Sequence, residues 1–600
     1  MADSAGVYTP PSVTSYMLLK SFDMPTRSGS IRAVAFSSKS GALVTAALSV
    51  MFTFIFLFTW NLVCFIALLS SNEKSRHRFA ALVLLWNSND SWFALPRMLH
   101  YAWVSFKSGG HETAYGLLWA FLAFAVSGAS LALGIVGPSL VQIGHAAPVQ
   151  PVSAYFPVLP PQNDASAVLQ VFGLRASSYL RALGSVEAAD VTKRQNVDMQ
   201  ENINLPPWND TEPMYQMSYT YSITGQDLGL QRGSGLSLNV TGSCITEYEW
   251  DAKLGGGNND TYNMWGYSDE NNPPFSVPLD DVSIQSAPKV SFFLHPDFVQ
   301  QFGRDSNISF AAIVWAAHRA SITDGSDAWY VTETGEQNYA PPFGATRWIK
   351  RRRPALSCWQ KDTWRYGTQL VKNVEGLKNV QGMRIPVSLL QVLEITLSLP
   401  KLVELGNASG DSALRSRTTS PNGVIDARAS SIRSDMERLL VASYVASQSV
   451  FTDATMFQQD GTWRNTLEGG NGQPKEGAGD FIIVSPEIQT FSLGGLIAVV
   501  VCLGALMLTE GVVTFIIRHH DQPTKNEISN NRLIRFKVLT AVDLFRRIYE
   551  PGGGGKDEDN WGCSKHFPTC EDDNVVFKLK DCESSNGRCR GHIDPSSKKQ

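Results

Sequence analysis

The short signatures that mark hydrolases, nucleotide binders and metalloproteases are missing from this chain. It has no G-x-S-x-G elbow, no H-E-x-x-H pair, no phosphate-binding loop and no Gly-rich dinucleotide turn. Charge is sparse as well. Charged residues make up 18% and the net charge is −4, so nucleic acid is not an expected partner. Eight cysteines in 600 residues are too few for a disulfide-built scaffold. Residues 1–40 are polar and lack an apolar core segment, so a cleaved signal peptide is not expected.

The apolar residues that are present cluster. A helix of ~20 residues crosses a bilayer, and three runs are long enough: 41–71, 114–144 and 491–517. The first two carry no charge, and the third carries only Glu510. An intramembrane carboxylate is a functional suspect, but Glu510 lies two turns before Arg518. The expected reading is therefore a side chain reaching toward the headgroups. Small residues at Ala123, Ser127, Ser130, Gly134 and Gly137 line one face of the second run, and Gly494, Ala498 and Ala505 one face of the third. Such faces admit close helix neighbours, including a protein partner or a second copy of the chain.

Between the first two runs, 72–112 reads as a basic loop with one interfacial amphipathic segment. Its apolar Phe79–Trp86 is followed at once by Asn87, Asn89, Asp90 and Arg97, and burying Asp90 and Arg97 mid-membrane would cost roughly 2.5–3.5 kcal/mol each. A four-span alternative would use residues 79–104. Basic residues after the third run point to a cytoplasmic C-terminus. Five N-x-S/T sequons, at Asn209, Asn239, Asn259, Asn307 and Asn407, all lie within 146–490, as expected of a lumenal or extracellular region bearing N-linked glycans. A sixth, at Asn89, sits in the loop assigned to the inside.

Region 146–490 reads as one α+β ectodomain. A Pro-rich, stalk-like segment runs to Pro161, and an amphipathic helix follows over 165–188. Strands are expected from Met214 onward, at 290–294, 308–315 and 328–332, with helices at 385–405 and 430–457. Cys244 and Cys358 are its only cysteines and are expected to pair. Ile349–Pro354 (IKRRRP) is the sharpest charge cluster and fits either an anionic lipid or glycan, or a solvated turn.

After the third run, 518–550 reads as a basic amphipathic helix, with Arg532, Arg535, Lys537, Arg546 and Arg547 facing an anionic leaflet. The tail, 551–600, reads as disordered. Its Cys563-x6-Cys570 and Cys582-x6-Cys589 spacings fall outside the two to four residues usual for zinc, so no metal and no cofactor is expected.

The RRRPALSCW…DTW segment and the VSPEIQTFSLGG approach to the last run resemble uncharacterised fungal membrane proteins with one large lumenal domain before their final span. That resemblance implies an architecture and no activity. Two functions are expected on these grounds: a membrane glycoprotein whose ectodomain binds or senses a ligand or partner, or a membrane-anchored hydrolase or glycan-modifying enzyme using paired carboxylates.

Overall fold

A computed structural model describes residues 13–519 apart from short internal segments, the longest being 252–258, 267–273, 279–286, 298–306 and 335–346. Beyond residue 519 it describes Phe536, Thr540, Ala541, Lys578–Lys580 and His592–Asp594. In chain order, β1 (Ser21–Thr26) and β2 (Gly29–Ser37) lead into α1 (Ser38–Ser70), then α2 (Arg76–Trp86), α3 (Ser91–Lys107) and α4 (Thr113–Val141). Next come α5 (Ala165–Glu187), β3 (Val197–Glu201), β4 (Gln216–Thr224), β5 (Leu236–Glu247), β6 (Lys289–Leu294), β7 (Ile308–Trp315) and β8 (Ala355–Tyr366). The chain continues through α6 (Lys401–Ser409), α7 (Ile432–Gln448) and β9 (Ile488–Ser492) into α8 (Leu493–His519). It divides into two compact units, Met1–Ser38 with Gly144–Thr490, and Lys39–Ile143 with Phe491–Gln600.

The first unit is built on an antiparallel sheet in the order β6-β7-β8-β5-β4-β3. Side chains alternate along its strands, as a half-buried sheet requires. In β4, Met217, Tyr219, Tyr221 and Ile223 are buried while Ser218, Thr220 and Ser222 are exposed. The buried face is covered by α6 and α7, and α5 packs on those two helices. The unit is thus α+β, with β7 falling where the β-branched run at 308–315 puts it.

Three segments differ from expectation. Ala146–Pro148 pairs with Ile482–Val484, and Ala147, Val149, Tyr155 and Phe156 are buried, so this segment is part of the domain and not a stalk. Residues 328–330 form a turn, not a strand, and the nearby strand starts at Thr332. The turn lets the adjacent Trp329 and Tyr330 both enter the core, where Trp329 Nε1 donates to Pro354 O at 3.0 Å. The 385–405 helix is interrupted before Pro400, which cannot continue it.

N-terminal residues belong to this unit too. Met17 N donates to Pro148 O at 2.8 Å and Gln150 N to Ser15 O at 2.8 Å. β2 lies between β1 and β9 in a small sheet.

In the second unit, α1, α4 and α8 are long and apolar enough to cross a membrane. Among the described residues of 72–112 there are two helices, α2 and α3, packed with α1 and α4. Arg78 at the start of α2 pairs with Glu112 at 2.8 Å, beside the start of α4. Ser91, at the start of α3, meets Ser127 at 2.8 Å, half-way along α4. Tyr101 and Ala102, further along α3, crowd Gly116 so closely that a Cβ there would lie 2.8 Å from the Tyr101 ring. The chain therefore rises along α2, turns at 87–90 and returns along α3. One apolar core joins Trp60, Cys64 and Leu68 of α1, Leu82 and Leu85 of α2, Ala94 and Met98 of α3, Ala120 and Ala123 of α4, and Phe536.

Candidate functional site

The turn at 87–90 lies at the mid-length of α4 and is polar, so its backbone and charges need partners. Asp90 caps α3: its Oδ1 accepts from Trp92 N at 3.3 Å, and its carbonyl takes the first helical bond from Ala94 N. Arg97 serves the other helix end, donating to Asn87 O at 3.2 Å. The Asn87 amide and Ser88 hydroxyl bond back to Val83 O and Leu84 O at 2.9 and 2.6 Å. An anion at a helix N-terminus and a cation at a C-terminus both complement the macrodipole. The two charges that made a membrane-depth reading of 79–104 look costly are therefore the ones that satisfy its turn.

Beside this turn is a cavity of about 300 Å3. Glu510 of α8 and Asn61 of α1 meet at its wall, with Asn61 Nδ2 donating to Glu510 Oε1 at 2.9 Å. The second carboxylate oxygen, Oε2, is buried and has no hydrogen-bond partner among the described residues. Ser88, Asn89 and Thr514 add polar groups, and Trp86 and Phe536 add aromatic walls. The Phe536 ring is stacked on Phe65 at 4.7 Å and edge-on to Trp86 at 5.1 Å. Glu510 thus has a partner on α1. The sequence signal for Asn61 was available: it is the lone amide in an uncharged run.

The small face of α4 is used within the chain. Ala123 is fully buried, Ser127 bonds Ser91, and a Cβ on Gly137 would lie 2.5 Å from Phe52 of α1.

In the α+β unit all five sequon asparagines are exposed. Asn407 also does structural work: Oδ1 accepts from Phe292 N at 2.8 Å and Nδ2 donates to Phe292 O at 2.9 Å, closing the edge strand β6. Cys244 and Cys358 are directly paired across β5 and β8, with Cα atoms 4.1 Å apart, and form a disulfide.

The basic cluster is neither a lipid grip nor a solvated turn, because acids distant in the sequence neutralise it. Arg351 Nη2 lies 3.0 Å from Asp260, whose side chain is 2% exposed, and Arg353, 5% exposed, lies 3.3 Å from Glu212. Lys350 and Arg352 reach Glu212 and Asp251 at 3.7 and 3.8 Å. Arg352 has a left-handed φ of 57°, held by a 2.9 Å bond from its N–H to Asp260 Oδ2.

Buried carboxylates of this unit are likewise tied into the fold. Asp435 is fully buried and accepts from Tyr330 Oη at 2.5 Å, Ser416 N at 2.8 Å and Ser416 Oγ at 2.9 Å. Burial pushes its carboxyl up to about 6. Asp327, pushed up to about 7 by burial, holds Trp329 N at 2.9 Å and Ile432 N, at the start of α7, at 3.0 Å. Asp327 titrates where an acid catalyst would, but its bonds are those of a cap. His295 Nδ1 accepts from Asp297 N at 3.1 Å, and burial lowers the affinity of His318 for a proton. Arg532, Arg535, Lys537, Arg546, Arg547 and the four tail cysteines lie outside the described residues. Within the tail, Lys578–Lys580 pairs antiparallel with His592–Asp594.

No curated protein and no solved structure matches the chain. A family model does, described as a domain of unknown function (DUF8406), and it spans residues 176–483, from within α5 almost to β9. Because that match covers just over half of the 600 residues, the chain belongs to the DUF8406 family.

Proposed function

We propose that this chain is an integral membrane glycoprotein that holds its α+β unit on the lumenal or extracellular side, where it binds or senses a ligand or partner. The observation that carries this reading is the composition of the first unit. Residues before α1 and residues after α4 fold together, so both ends of 39–143 emerge on one side. Two crossings, by α1 and α4, satisfy that, and α8 then takes the C-terminus to the other side.

The outer surfaces of the helices support a lipid environment. Leu131 of α4 and Leu508 of α8 are 71% and 72% exposed, and Trp92, Phe93 and Phe106 of α3 are also exposed. Apolar area of this extent is costly in water and neutral in hydrocarbon. A binding role is favoured over catalysis because the buried Asp327, Asp435, Lys401 and Arg353 are engaged by neighbouring side chains and backbone. Partner contacts through the small face of α8 are part of the reading, since α4's face is occupied internally.

Changing each sequon asparagine to glutamine and following gel mobility before and after glycosidase digestion tests the topology. Loss of a glycan is expected at Asn209, Asn239, Asn259 and Asn307, with no change at Asn89. A shift confined to the Asn89→Gln variant would invert the orientation and overturn the proposal.

A further inference from the structure

The cavity beside Glu510 has the chemistry of a ligand site that the ectodomain reading does not use. We propose that it binds a small organic ammonium, a protonated amine carrying a short apolar body. Three observations converge on that class. The first is charge. Glu510 Oε1 is engaged by Asn61, but Oε2 is buried without a partner among the described residues, and no described Lys, Arg or His lines the cavity. An N–H donor with a positive charge is the complement such an oxygen needs.

The second is the wall. Trp86 and Phe536 both line the cavity, and aromatic faces attract ammonium groups. Leu62, Leu85, Val513 and Ile517 supply the apolar surface for the rest of such a molecule. The third is size. At about 300 Å3 the space sits at the lower end of small-molecule pockets, roughly 300–1,000 Å3. A bare inorganic cation needs oxygen ligands converging at roughly 2.3–2.6 Å, and neither this volume nor the hydrocarbon walls serve that. Ser88 and Asn89, brought here by the turn between α2 and α3, give the ammonium further acceptors.

The site is tested on the full-length protein in lipid nanodiscs with 2-phenylethylammonium chloride as the probe. Its uncharged analogue 2-phenylethanol, sodium chloride and choline chloride are run alongside, with thermal unfolding as the readout. A saturable rise in unfolding temperature is expected with the ammonium and not with the alcohol. Glu510→Gln is expected to weaken the ammonium by about tenfold or more, the value of one charge-assisted hydrogen bond. Trp86→Leu gives a second variant that keeps the carboxylate and is expected to weaken it several-fold.

The comparison of charged with neutral probe on the unmodified protein holds whether or not either variant folds. An equal response to 2-phenylethanol overturns the proposal in favour of a merely apolar cavity. A response to sodium that choline does not reproduce overturns it in favour of an inorganic cation. No saturable response up to about 10 mM, beyond the millimolar range of weak ligands, overturns it outright.

Discussion

Replacing Asp435 by asparagine separates the charge of this buried carboxylate from its shape. In the folded chain burial pushes the carboxyl up to about 6, against an ordinary value of 3.8. The folded state therefore holds the proton more tightly than the unfolded state. Its contribution is fully present below 3.8 and is lost as pH rises through 6, a swing of about 3 kcal/mol. Asp327 and Asp362, pushed up by burial to about 7 and about 6, act in the same direction. The wild-type unit thus gains stability from these groups as pH falls from 7.5 toward 4.5.

The amide that replaces the carboxyl in Asp435→Asn cannot titrate. Its oxygen can still accept from Ser416 N, while the Tyr330 and Ser416 hydroxyls can rotate to receive its NH2 group. At neutral pH the variant should stay within about 2 kcal/mol of wild type, because lost charge-assisted bonds and relieved desolvation oppose each other. Asp435→Ala is different: it strands the Ser416 N–H and opens a void, and should lose about 3–5 kcal/mol. Thermal unfolding of the full chain, followed by tryptophan fluorescence over pH 4.5–7.5, reads all three proteins, since Trp329 is fully buried in the same unit. The pH slope of Asp435→Asn should be shallower than wild type. If the two slopes coincide, the carboxylate is not the titrating group and the reasoning fails.

Two arginines of the basic cluster should behave unequally. Arg353→Ala leaves Glu212 without its closest partner and removes a side chain 5% exposed, so a loss of about 3–5 kcal/mol in denaturant melts is expected. Arg352→Ala, whose side chain is 46% exposed and 3.8 Å from Asp251, should cost less than about 1 kcal/mol. Replacing Cys244 and Cys358 by serine opens a linkage across 114 residues and should cost up to ~5 kcal/mol in the chain-entropy account, read as a lowered unfolding temperature. Asn407→Gln should lower stability by about 1–3 kcal/mol even in unglycosylated protein, because it breaks both bonds to the Phe292 backbone. Asn259→Gln, at an exposed position, should not.

Local patterns carry the sequence reading a long way, and distant pairings defeat it. The strand at 308–315 and the helix starting at Ala165 follow from β-branched runs and 3.6-residue spacing, and both appear. Trp329 and Tyr330 look like strand residues by propensity, yet tertiary burial of both neighbours requires a turn. The acids that neutralise Arg351 and Arg353 lie 91 and 141 residues earlier, so no window around the cluster could reveal them. Asn61 and Glu510 are 449 residues apart. Periodicity alone gives Phe536 no special place in the segment after α8, but it is buried in the helical core against residues more than 400 positions earlier.

Residues 76–107 show what a local energy argument leaves out. Asp90 and Arg97 look too costly for membrane depth when each is weighed as an isolated charge. In the fold each sits at a helix end, where an unsatisfied backbone group already needs it. Met17 and Ser15 are hydrogen-bonded to the chain beyond α4, and the proposed topology rests on that pairing. The chain turns back between α2 and α3, and that turn brings Ser88 and Asn89 to the wall that Glu510 shares. The polar site follows from the turn: a continuous helix through this region would have no reason to place an amide and a hydroxyl beside the Glu510 carboxylate.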